Sequence, residues 1–321
     1  MNLTTAPRIA VVIPCYRVKP HILDVIAAIG PEVSAIYVVD DGCPDGSGKL
    51  VLENVADARV RVLFNEANQG VGGATMAGYR AALNDGMTIA VKIDGDGQMP
   101  PGLLPRFVAP ILAGMADYTK GNRFFDIESV RSMPRMRLFG NAVLSFFAKV
   151  SSGYWQIFDP NNGYTAIHTR LIAVLPLDKI SQRYFFESDL LFRLNTLGAV
   201  VQDIPMTAVY ADEVSNLNIG AIIGQFLHGH GRNFIKRIFY NYFLRNFSIA
   251  SIELLLGLLL LGAGIGFGLD RWIDSLRSGM VASSGTVMLA ALPIILGFQM
   301  LLSFLNYDMQ NSPTQVLHLR L

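Results

Sequence analysis

Two long apolar segments towards the end of the sequence restrict its possible folds more than any other feature. Residues 248–269 read SIASIELLLGLLLLGAGIGFGL, with Glu253 as their only charged residue, and residues 286–305 read TVMLAALPIILGFQMLLSFL, with none. A helix of about 20 residues spans a hydrocarbon core of roughly 30 Å. Because neither segment has a polar face, a pair of buried core helices is the weaker interpretation. Residues 270–285 between them are short and polar, so the pair predicts a transmembrane hairpin.

The basic residues beside these segments predict the orientation of the hairpin. No acidic residue lies between Glu213 and Glu253, where the basic residues are Arg232, Lys236, Arg237 and Arg245. In residues 270–285, two arginines are offset by two aspartates. The positive-inside rule then places the N-terminal part and the tail, residues 306–321, in the cytoplasm, with 270–285 on the other side. The apolar run Ile9–Ile13 is too short for a signal peptide, which agrees with a multi-pass protein of the cytoplasmic membrane.

Residues 219–247 combine the same cations with apolar residues at spacings of three and four. This pattern is typical of amphipathic helices that lie in the headgroup region of a bilayer. A cationic flank with no further role is an equally good interpretation, and the two are compatible.

Composition excludes several classes of protein. With 26 basic and 25 acidic residues the net charge is +1, which argues against a nucleic-acid-binding protein. Cys15 and Cys43 are too few for a disulfide framework or a cysteine-rich zinc site. Only 16% of the residues are charged and the mean hydropathy is +0.38, which agrees with a chain that lies partly in a membrane.

Residues 1–218 alternate apolar strand-like runs with helical patterns. The predicted strands are Ile9–Ile13, Ala35–Val39, Val60–Phe64, Ile89–Ile93 and Val200–Ile204, and the predicted helices are His21–Ile29, Val71–Asp85, Leu103–Ala113, Leu138–Val150 and Ser188–Leu197. Continuous apolar strands separated by helices indicate an α/β domain with a mostly parallel sheet. Such sheets bind ligands at the carboxyl ends of their strands.

Acidic residues stand at two of these strand ends. Asp40 and Asp41 follow the second predicted strand, and Asp94 and Asp96 follow the fourth. Alternate side chains of an extended backbone point the same way, so Asp94 and Asp96 can converge on one ion. Carboxylates and substrate phosphates are the ligands that Mg²⁺ and Mn²⁺ prefer. Turn-forming acids are the structural alternative.

The stretch NQGVGGA at 68–74 has the glycines of a phosphate-binding loop but not their dinucleotide spacing. A close-packed entry to a helix explains these glycines better than a nicotinamide cofactor does.

Six motifs, in order, resemble the family 2 glycosyltransferases of the GT-A fold, and most closely the branch with dolichyl-phosphate-mannose synthases and bacterial polyprenyl-phosphate glucosyltransferases. The motifs are VVIPCYR at 11–17, VVDDGCPDGS at 38–47, NQGVGGA at 68–74, KIDGDGQMPP at 92–101, FDPNNGYTA at 158–166 and FFESDLLFRL at 185–194. The resemblance covers residues 8–216, and the amphipathic segment and the two spans extend it.

The resemblance implies roles for individual residues. The residues that would contact the nucleotide sugar are Pro14, Tyr16, Asp40, Asp41, Gly70, Asp94 and Gly95. Those that would hold a divalent metal (Mn²⁺ or Mg²⁺) are Asp94, Asp96 and Gln98. Arg123 would face the phosphates, and Arg137 would bind the acceptor phosphate. Asn141 stands where the family often has an acceptor-binding serine, and YADEVSNLN at 210–218 replaces a late arginine-rich motif. These two departures concern the acceptor site and leave the nucleotide site unchanged.

The acidic residues of the later motifs bear on the acceptor. Asp189, in Glu187-Ser188-Asp189, resembles a general base of relatives that act on sugar hydroxyls, whereas a lipid phosphate needs none because its second pKa is about 6. Repulsion between two phosphate groups must instead be offset by the metal and by Arg123 and Arg137. Asp159 and Asp189 would then shape the site, and a helix-face or turn acid is the structural alternative for both.

These observations predict an inverting enzyme that moves one sugar from a nucleotide, UDP-glucose by resemblance, to undecaprenyl phosphate for cell-surface glycan synthesis. The alternatives are an enzyme of the same fold that glycosylates a lipid-linked saccharide hydroxyl, with Asp189 as base, and a non-catalytic membrane scaffold. The Gln-x-x-Arg-Trp motif of processive synthases does not occur in the sequence, which favours transfer of a single sugar. The resemblance also implies a homo-oligomer, a tetramer.

Overall fold

A computed structural model describes residues 6–125, 135–207 and 219–321, without the side chains of residues 135–137 and 219–223. The chain divides into two compact units. The first, here called the α/β unit, comprises Met1–Phe234 and Pro313–Leu321. The second, the helical unit, comprises Ile235–Ser312.

A seven-stranded sheet organises the described part of the α/β unit. Its strands are β1 (Ile9–Cys15), β2 (Val33–Asp40), β3 (Val60–Phe64), β4 (Ile89–Lys92), β5 (Tyr118–Asn122), β6 (Thr165–His168) and β7 (Val201–Pro205), in the order β3-β2-β1-β4-β6-β5-β7. All neighbouring strands are parallel except β6, which is antiparallel to both β4 and β5. The predicted mostly parallel α/β fold is therefore confirmed.

Helices cover both faces of this sheet, and further helices form the helical unit. They are α1 (Ile22–Ala27), α2 (Ser47–Asn54), α3 (Val71–Asn84), α4 (Leu104–Leu112), α5 (Arg135–Ser152), α6 (Thr169–Val174), α7 (Phe186–Leu197), α8 (Ile219–Phe239), a π-helical turn (Tyr240–Arg245), α9 (Ile249–Ser278) and α10 (Ser284–Gln310).

The apolar strands divide their side chains between two cores. Successive residues of a strand point to opposite faces. Val11 and Ile13 of β1 belong to a core with α1 and α4, whereas Ala10 and Val12 belong to a core with α3 and α7. Because β1 is buried on both faces, its sequence does not alternate between polar and apolar residues.

The helical unit contains two helices that are long and apolar enough to span a membrane, α9 and α10. Both extend beyond the predicted spans of 248–269 and 286–305, so that the segment between the two helices is shorter than residues 270–285. The helices approach closely at glycines: a Cβ on Gly257 would lie 3.1 Å from the carbonyl oxygen of Gly297. Small residues at such contacts let helix backbones approach each other, which is a common way of packing helices in lipid.

Residues 313–321 pack onto the α/β unit through Asp117, a contact that the sequence did not predict. The fully buried Asp117 carboxylate accepts hydrogen bonds from the backbone N–H groups of Leu317 (2.8 Å), His318 (2.7 Å) and Val200 (2.8 Å), and lies 2.8 Å from His318 Nδ1. The imidazole of His318 stacks on that of His168, with ring centroids 4.1 Å apart. Residues 313–321, which the sequence predicted only as part of a cytoplasmic tail (306–321), thus belong to the α/β unit.

Removal of residues 313–321 should destabilise the α/β unit, because it leaves the buried carboxylate of Asp117 without most of its donors. An unsatisfied buried charged group costs about 2–4 kcal/mol, which we expect as a fall in melting temperature of about 5–10 °C in detergent. Asp178→Asn, which changes an exposed acid, should leave the melting temperature unaltered. An unchanged melting temperature in the truncated protein would show that this contact does not stabilise the fold.

Candidate active site

A cavity of about 630 Å³ opens at the carboxyl ends of β1, β2 and β4. It brings together seven of the residues that the sequence analysis selected: Pro14, Tyr16, Asp41, Gly70, Asp94, Gly95 and Asp96. Parallel strands end at the same edge of a sheet, so residues that are far apart in sequence converge there. Arg183 and Tyr184, from the segment before α7, line the same cavity and were not predicted.

Asp40 and Asp41 differ in their surroundings although they are adjacent. Asp41 lines the cavity, and its carboxylate accepts hydrogen bonds from the backbone N–H groups of Gln69 (3.0 Å) and Gly70 (2.7 Å). It therefore holds the segment that leads into α3 against the cavity. The carboxylate of Asp40 instead accepts from the N–H groups of Cys43 (2.8 Å) and Gly48 (2.7 Å), at the start of α2, and Asp40 does not line the cavity.

The glycines before α3 allow a close backbone contact. A Cβ on Gly70 would lie 2.6 Å from the carbonyl oxygen of Gln182, and one on Gly72 would lie 2.5 Å from that of Ser181. Gly70 also has a φ of +90°, which disfavours any residue with a side chain. The contact brings the segment that carries Arg183 and Tyr184 to the cavity.

Asp94 and Asp96 form the candidate metal site. Both line the cavity, and Asp96 Oδ1 accepts a hydrogen bond of 3.0 Å from the backbone N–H of Gln98, which closes the turn after β4. Within the described ranges no three His, Cys, Asp or Glu side chains are grouped to hold a metal ion. Two carboxylates suit an ion that completes its shell with substrate phosphates and water, as Mg²⁺ and Mn²⁺ do, whereas Gln98, the third predicted ligand, does not line the cavity.

A buried lysine, Lys92, lies beside Asp94, and a second buried lysine, Lys120, lies on the same face of the sheet; neither was predicted as a site residue from the sequence. In the antiparallel pairings, Lys92 of β4 and Lys120 of β5 both lie opposite Thr165 of β6, so the two lysines share one face of the sheet. Lys92 Nζ lies 2.7 Å from Asp94 Oδ1 and 3.6 Å from Glu187 Oε1. Burial opposes the charge on Lys92, but the two carboxylates outweigh it and raise the pKa of this lysine above its ordinary value.

Lys120 and Asp203 are two further charged residues, on the neighbouring strands β5 and β7. These residues pair across β5 and β7, and the Lys120 ammonium donates a hydrogen bond to the carbonyl oxygen of Asn162. Burial lowers the pKa of Lys120 to about 8, although nearby carboxylates, Glu187 first, oppose the change. Burial also raises the pKa of Asp203 to about 6.

Arg123 and Asp159 form a two-point ion pair. Arg123 Nε lies 2.8 Å from Asp159 Oδ2, and Nη2 lies 3.0 Å from Oδ1. Asp159 is almost fully buried, whereas the Arg123 side chain is 28% exposed. This fork geometry fixes the plane of the guanidinium group.

Asp189 has both carboxylate oxygens engaged in contacts within the fold and does not line the cavity. Oδ2 accepts from the backbone N–H of Ser181 (2.9 Å) and from Arg193 Nε (3.2 Å), and Oδ1 accepts from Asn233 Nδ2 (2.8 Å). Asp189 is fully buried. It thus joins the start of α7 to α8 and to the segment near the cavity, while Glu187 on the same helix faces Lys92.

The predicted acceptor residues lie on or beside α5. The side chain of Arg137 is outside the described part of the structure. Asn141 is partly exposed on the same helix, and Phe139, Val143 and Phe146 of that helix are exposed by 68%, 37% and 57%. Apolar side chains that are exposed next to one another on a helix commonly mark a site that binds a protein, a membrane or a ligand.

The cavity lies at the carboxyl ends of parallel strands, which is where open α/β sheets bind their ligands. Residues 10–175, just over half of the chain, match the family model "Glycosyl transferase family 2". The chain therefore belongs to glycosyltransferase family 2, as the motifs predicted.

Curated relatives agree with this family. The chain is 30% identical to an undecaprenyl-phosphate mannosyltransferase of Micrococcus luteus, over 68% of this chain and 90% of the relative. It is 32% identical to a polyprenol monophosphomannose synthase of Mycolicibacterium smegmatis, over 62% and 77%. A glucosyl-3-phosphoglycerate synthase of Mycobacterium tuberculosis with UDP shares the fold, with a TM-score of 0.55 at 20% identity over 71% of this chain and 80% of the other.

Proposed function

We propose that this protein transfers a single sugar, with inversion, from a nucleotide sugar to the phosphate of a polyprenyl phosphate. The observation that carries this proposal is the acidic cavity at the ends of β1, β2 and β4, in a chain of this family. The names of both relatives above, an undecaprenyl-phosphate mannosyltransferase and a polyprenol monophosphomannose synthase, support the acceptor class.

The donor would bind along the cavity, with its nucleotide between Pro14, Tyr16 and Asp41 and its diphosphate near Asp94 and Asp96. These two carboxylates, with Gln98 beside them, would hold a divalent cation, which supplies positive charge to the leaving diphosphate when it is bound. A structure of similar fold, the Mycobacterium tuberculosis enzyme with Mn²⁺, UDP and glucosyl-3-phosphoglycerate, supports a divalent cation beside the nucleotide. Mannose is the first candidate sugar because both relatives are named for it, and UDP-glucose, favoured by the motifs, is the second.

The acceptor phosphate would approach from the side of Arg123 and α5. A phosphate dianion needs no general base, and its repulsion from the donor diphosphate is offset by cations. Arg123, whose side chain is 28% exposed, and Arg137 would supply this charge, with Asn141 as a further donor of hydrogen bonds. The exposed apolar row Phe139, Val143 and Phe146 suits an isoprenoid chain, which is apolar throughout.

The membrane position follows from the two long apolar helices. The α/β unit contains chain both before the helical unit (up to Phe234) and after it (from Pro313), so the hairpin would enter and leave the bilayer on the same side. The excess of basic residues before α9 supports a cytoplasmic location for that side. The predicted homo-oligomer, a tetramer, stays a prediction.

A saccharide hydroxyl is the second candidate acceptor, with Asp189 as the base. The contacts of Asp189 favour the phosphate acceptor instead, because a general base must lie within hydrogen-bond reach of its substrate proton. Ser181, Arg193 and Asn233 occupy both Asp189 oxygens, and the residue is fully buried.

A donor screen tests the proposal. Purified full-length protein in detergent, with undecaprenyl phosphate and Mn²⁺, would be offered radiolabelled GDP-mannose, UDP-glucose and UDP-N-acetylglucosamine singly. We expect label from one donor in the organic phase. In a parallel reaction with an added lipid-linked saccharide, label in that saccharide and not in undecaprenyl phosphate would support a hydroxyl acceptor. No donor binding at all would support a non-catalytic scaffold.

A further inference from the structure

Lys92 occupies an unusual position for a lysine. It ends β4, between the buried residues Val91 and Ile93, and its side chain is 1% exposed. A lysine is almost never fully buried unless its ammonium group is paired. Here all its polar contacts are directed at the metal site and its surroundings: Asp94 Oδ1 (2.7 Å), the carbonyl oxygen of Gly163 (3.3 Å) and Glu187 Oε1 (3.6 Å).

The surroundings of Lys92 leave its ammonium group little freedom to move. Gly163 packs against both Lys92 and Asp94, since a Cβ on this residue would lie 2.5 Å from Lys92 Nζ and 2.5 Å from Asp94 Oδ2. Glu187 is fixed at the start of α7 and is itself nearly buried. The ammonium group is therefore held against Asp94 by packing as well as by charge.

A divalent cation on Asp94 would meet this fixed positive charge. Charges a few ångströms apart interact strongly in a partly buried site, so an ammonium group hydrogen-bonded to one carboxylate oxygen reduces the attraction of that carboxylate for a second cation. Asp94 is 28% exposed, which leaves it open to the cavity. With only Asp94, Asp96 and Gln98 as protein ligands, the bare site would hold the ion weakly without the phosphates of a nucleotide.

We propose that Lys92 is a positioning residue that acts as a built-in counter-ion of the metal site. It holds Asp94 in place when no cation is bound, and it keeps the affinity for the cation low until a nucleotide diphosphate adds its own charge. The ammonium group keeps Glu187 and the Gly163 carbonyl as partners when Asp94 turns to the ion. This inference rests on the metal site of the proposed function.

Mn²⁺ titration of the full-length protein, followed by the electron paramagnetic resonance signal of free Mn²⁺, tests this role directly. Without nucleotide, Lys92→Gln and Lys92→Met should bind Mn²⁺ at least about tenfold more tightly than the wild type, because the competing charge is gone. With UDP or GDP present, the wild type should bind Mn²⁺ tightly and the difference between the proteins should shrink.

Three controls separate charge from packing. Lys92→Arg keeps the charge and should stay within about threefold of the wild type, and the exposed Lys49→Gln should have no effect. In an Asp94→Asn background, Lys92→Gln should give no tightening, since the coupled partner is lost. Lys92→Gln retains an amide that can donate to Asp94, so it provides a folded variant, checked by circular dichroism, if Lys92→Met fails to fold.

Each contrary result has its own meaning. Equal or weaker Mn²⁺ binding by folded Lys92→Gln, when the wild type binds Mn²⁺ with a nucleotide, would overturn the counter-ion role and leave the proposed function intact. No Mn²⁺ binding by the wild type with either nucleotide would overturn the metal site itself, and the role of Lys92 with it.

Discussion

Asp96→Asn is expected to lower the rate of sugar transfer about 10²–10³-fold, with the fold intact. The substitution removes one negative charge from the pair of carboxylates that would hold the cation at the leaving diphosphate. Loss of one group that stabilises transition-state charge costs about 3–4 kcal/mol in other enzymes. The amide oxygen can still accept the 3.0 Å hydrogen bond from the Gln98 backbone, so the turn after β4 should persist.

The measurement is kcat for lipid-linked label, with the melting temperature as a test of folding. Asp24→Asn is the matched control, since Asp24 is an exposed acid on α1 and does not line the cavity. Its kcat should equal that of the wild type. A kcat for Asp96→Asn within about threefold of the wild type would contradict the assignment of Asp96 to the site.

Arg123→Ala is expected to lower both activity and stability, for two different reasons. The activity should fall at least about 100-fold, because the guanidinium group that would offset repulsion between the two phosphate groups is lost. The unfolding free energy should fall by about 2–3 kcal/mol, since the buried Asp159 carboxylate loses its two-point partner. The partial exposure of Arg123 keeps this second effect below that of a fully buried pair.

A double variant separates the two effects. Arg123→Ala with Asp159→Asn removes both charges, so stability should recover towards the wild-type value while transfer stays low. Arg123→Lys should lose about tenfold in activity, because an ammonium group cannot reproduce the planar fork. Recovery of activity in the double variant would show that Arg123 serves only to neutralise Asp159.

The sequence predicted strands wherever apolar residues cluster. β1, β2 and β4 are apolar runs buried on both faces, and β3 and β7, although only partly buried, still contain enough apolar residues to be predicted. Asp41, Asp94 and Asp96 meet in one cavity because parallel strands end together, whereas Asp40 does not line it. β5 and β6 escaped prediction since YTKGN has no apolar run and TAIH is very short. The contact of residues 313–321 with Asp117 joins positions about 200 residues apart and has no local signal.

The site was harder to predict where side-chain direction decides the role. In the Glu187-Ser188-Asp189 motif, positions two apart point to different sides of a helix. Glu187 accordingly faces Lys92, whereas Asp189 faces Asn233 of α8. Lys92 and Lys120 look like ordinary strand residues in the sequence, and only the register across β4, β6 and β5 places them on one face of the sheet, on either side of Thr165.

The chemical structure of the lipid product tests the central claim most directly. After reaction of wild-type protein with undecaprenyl phosphate and the active donor, phosphorus NMR and mass spectrometry of the extracted lipid would identify the bond formed. We predict conversion of the phosphate monoester to a sugar phosphodiester with one sugar per lipid. Recovery of unmodified undecaprenyl phosphate, with the sugar attached to a saccharide hydroxyl of an added lipid-linked acceptor, would contradict it.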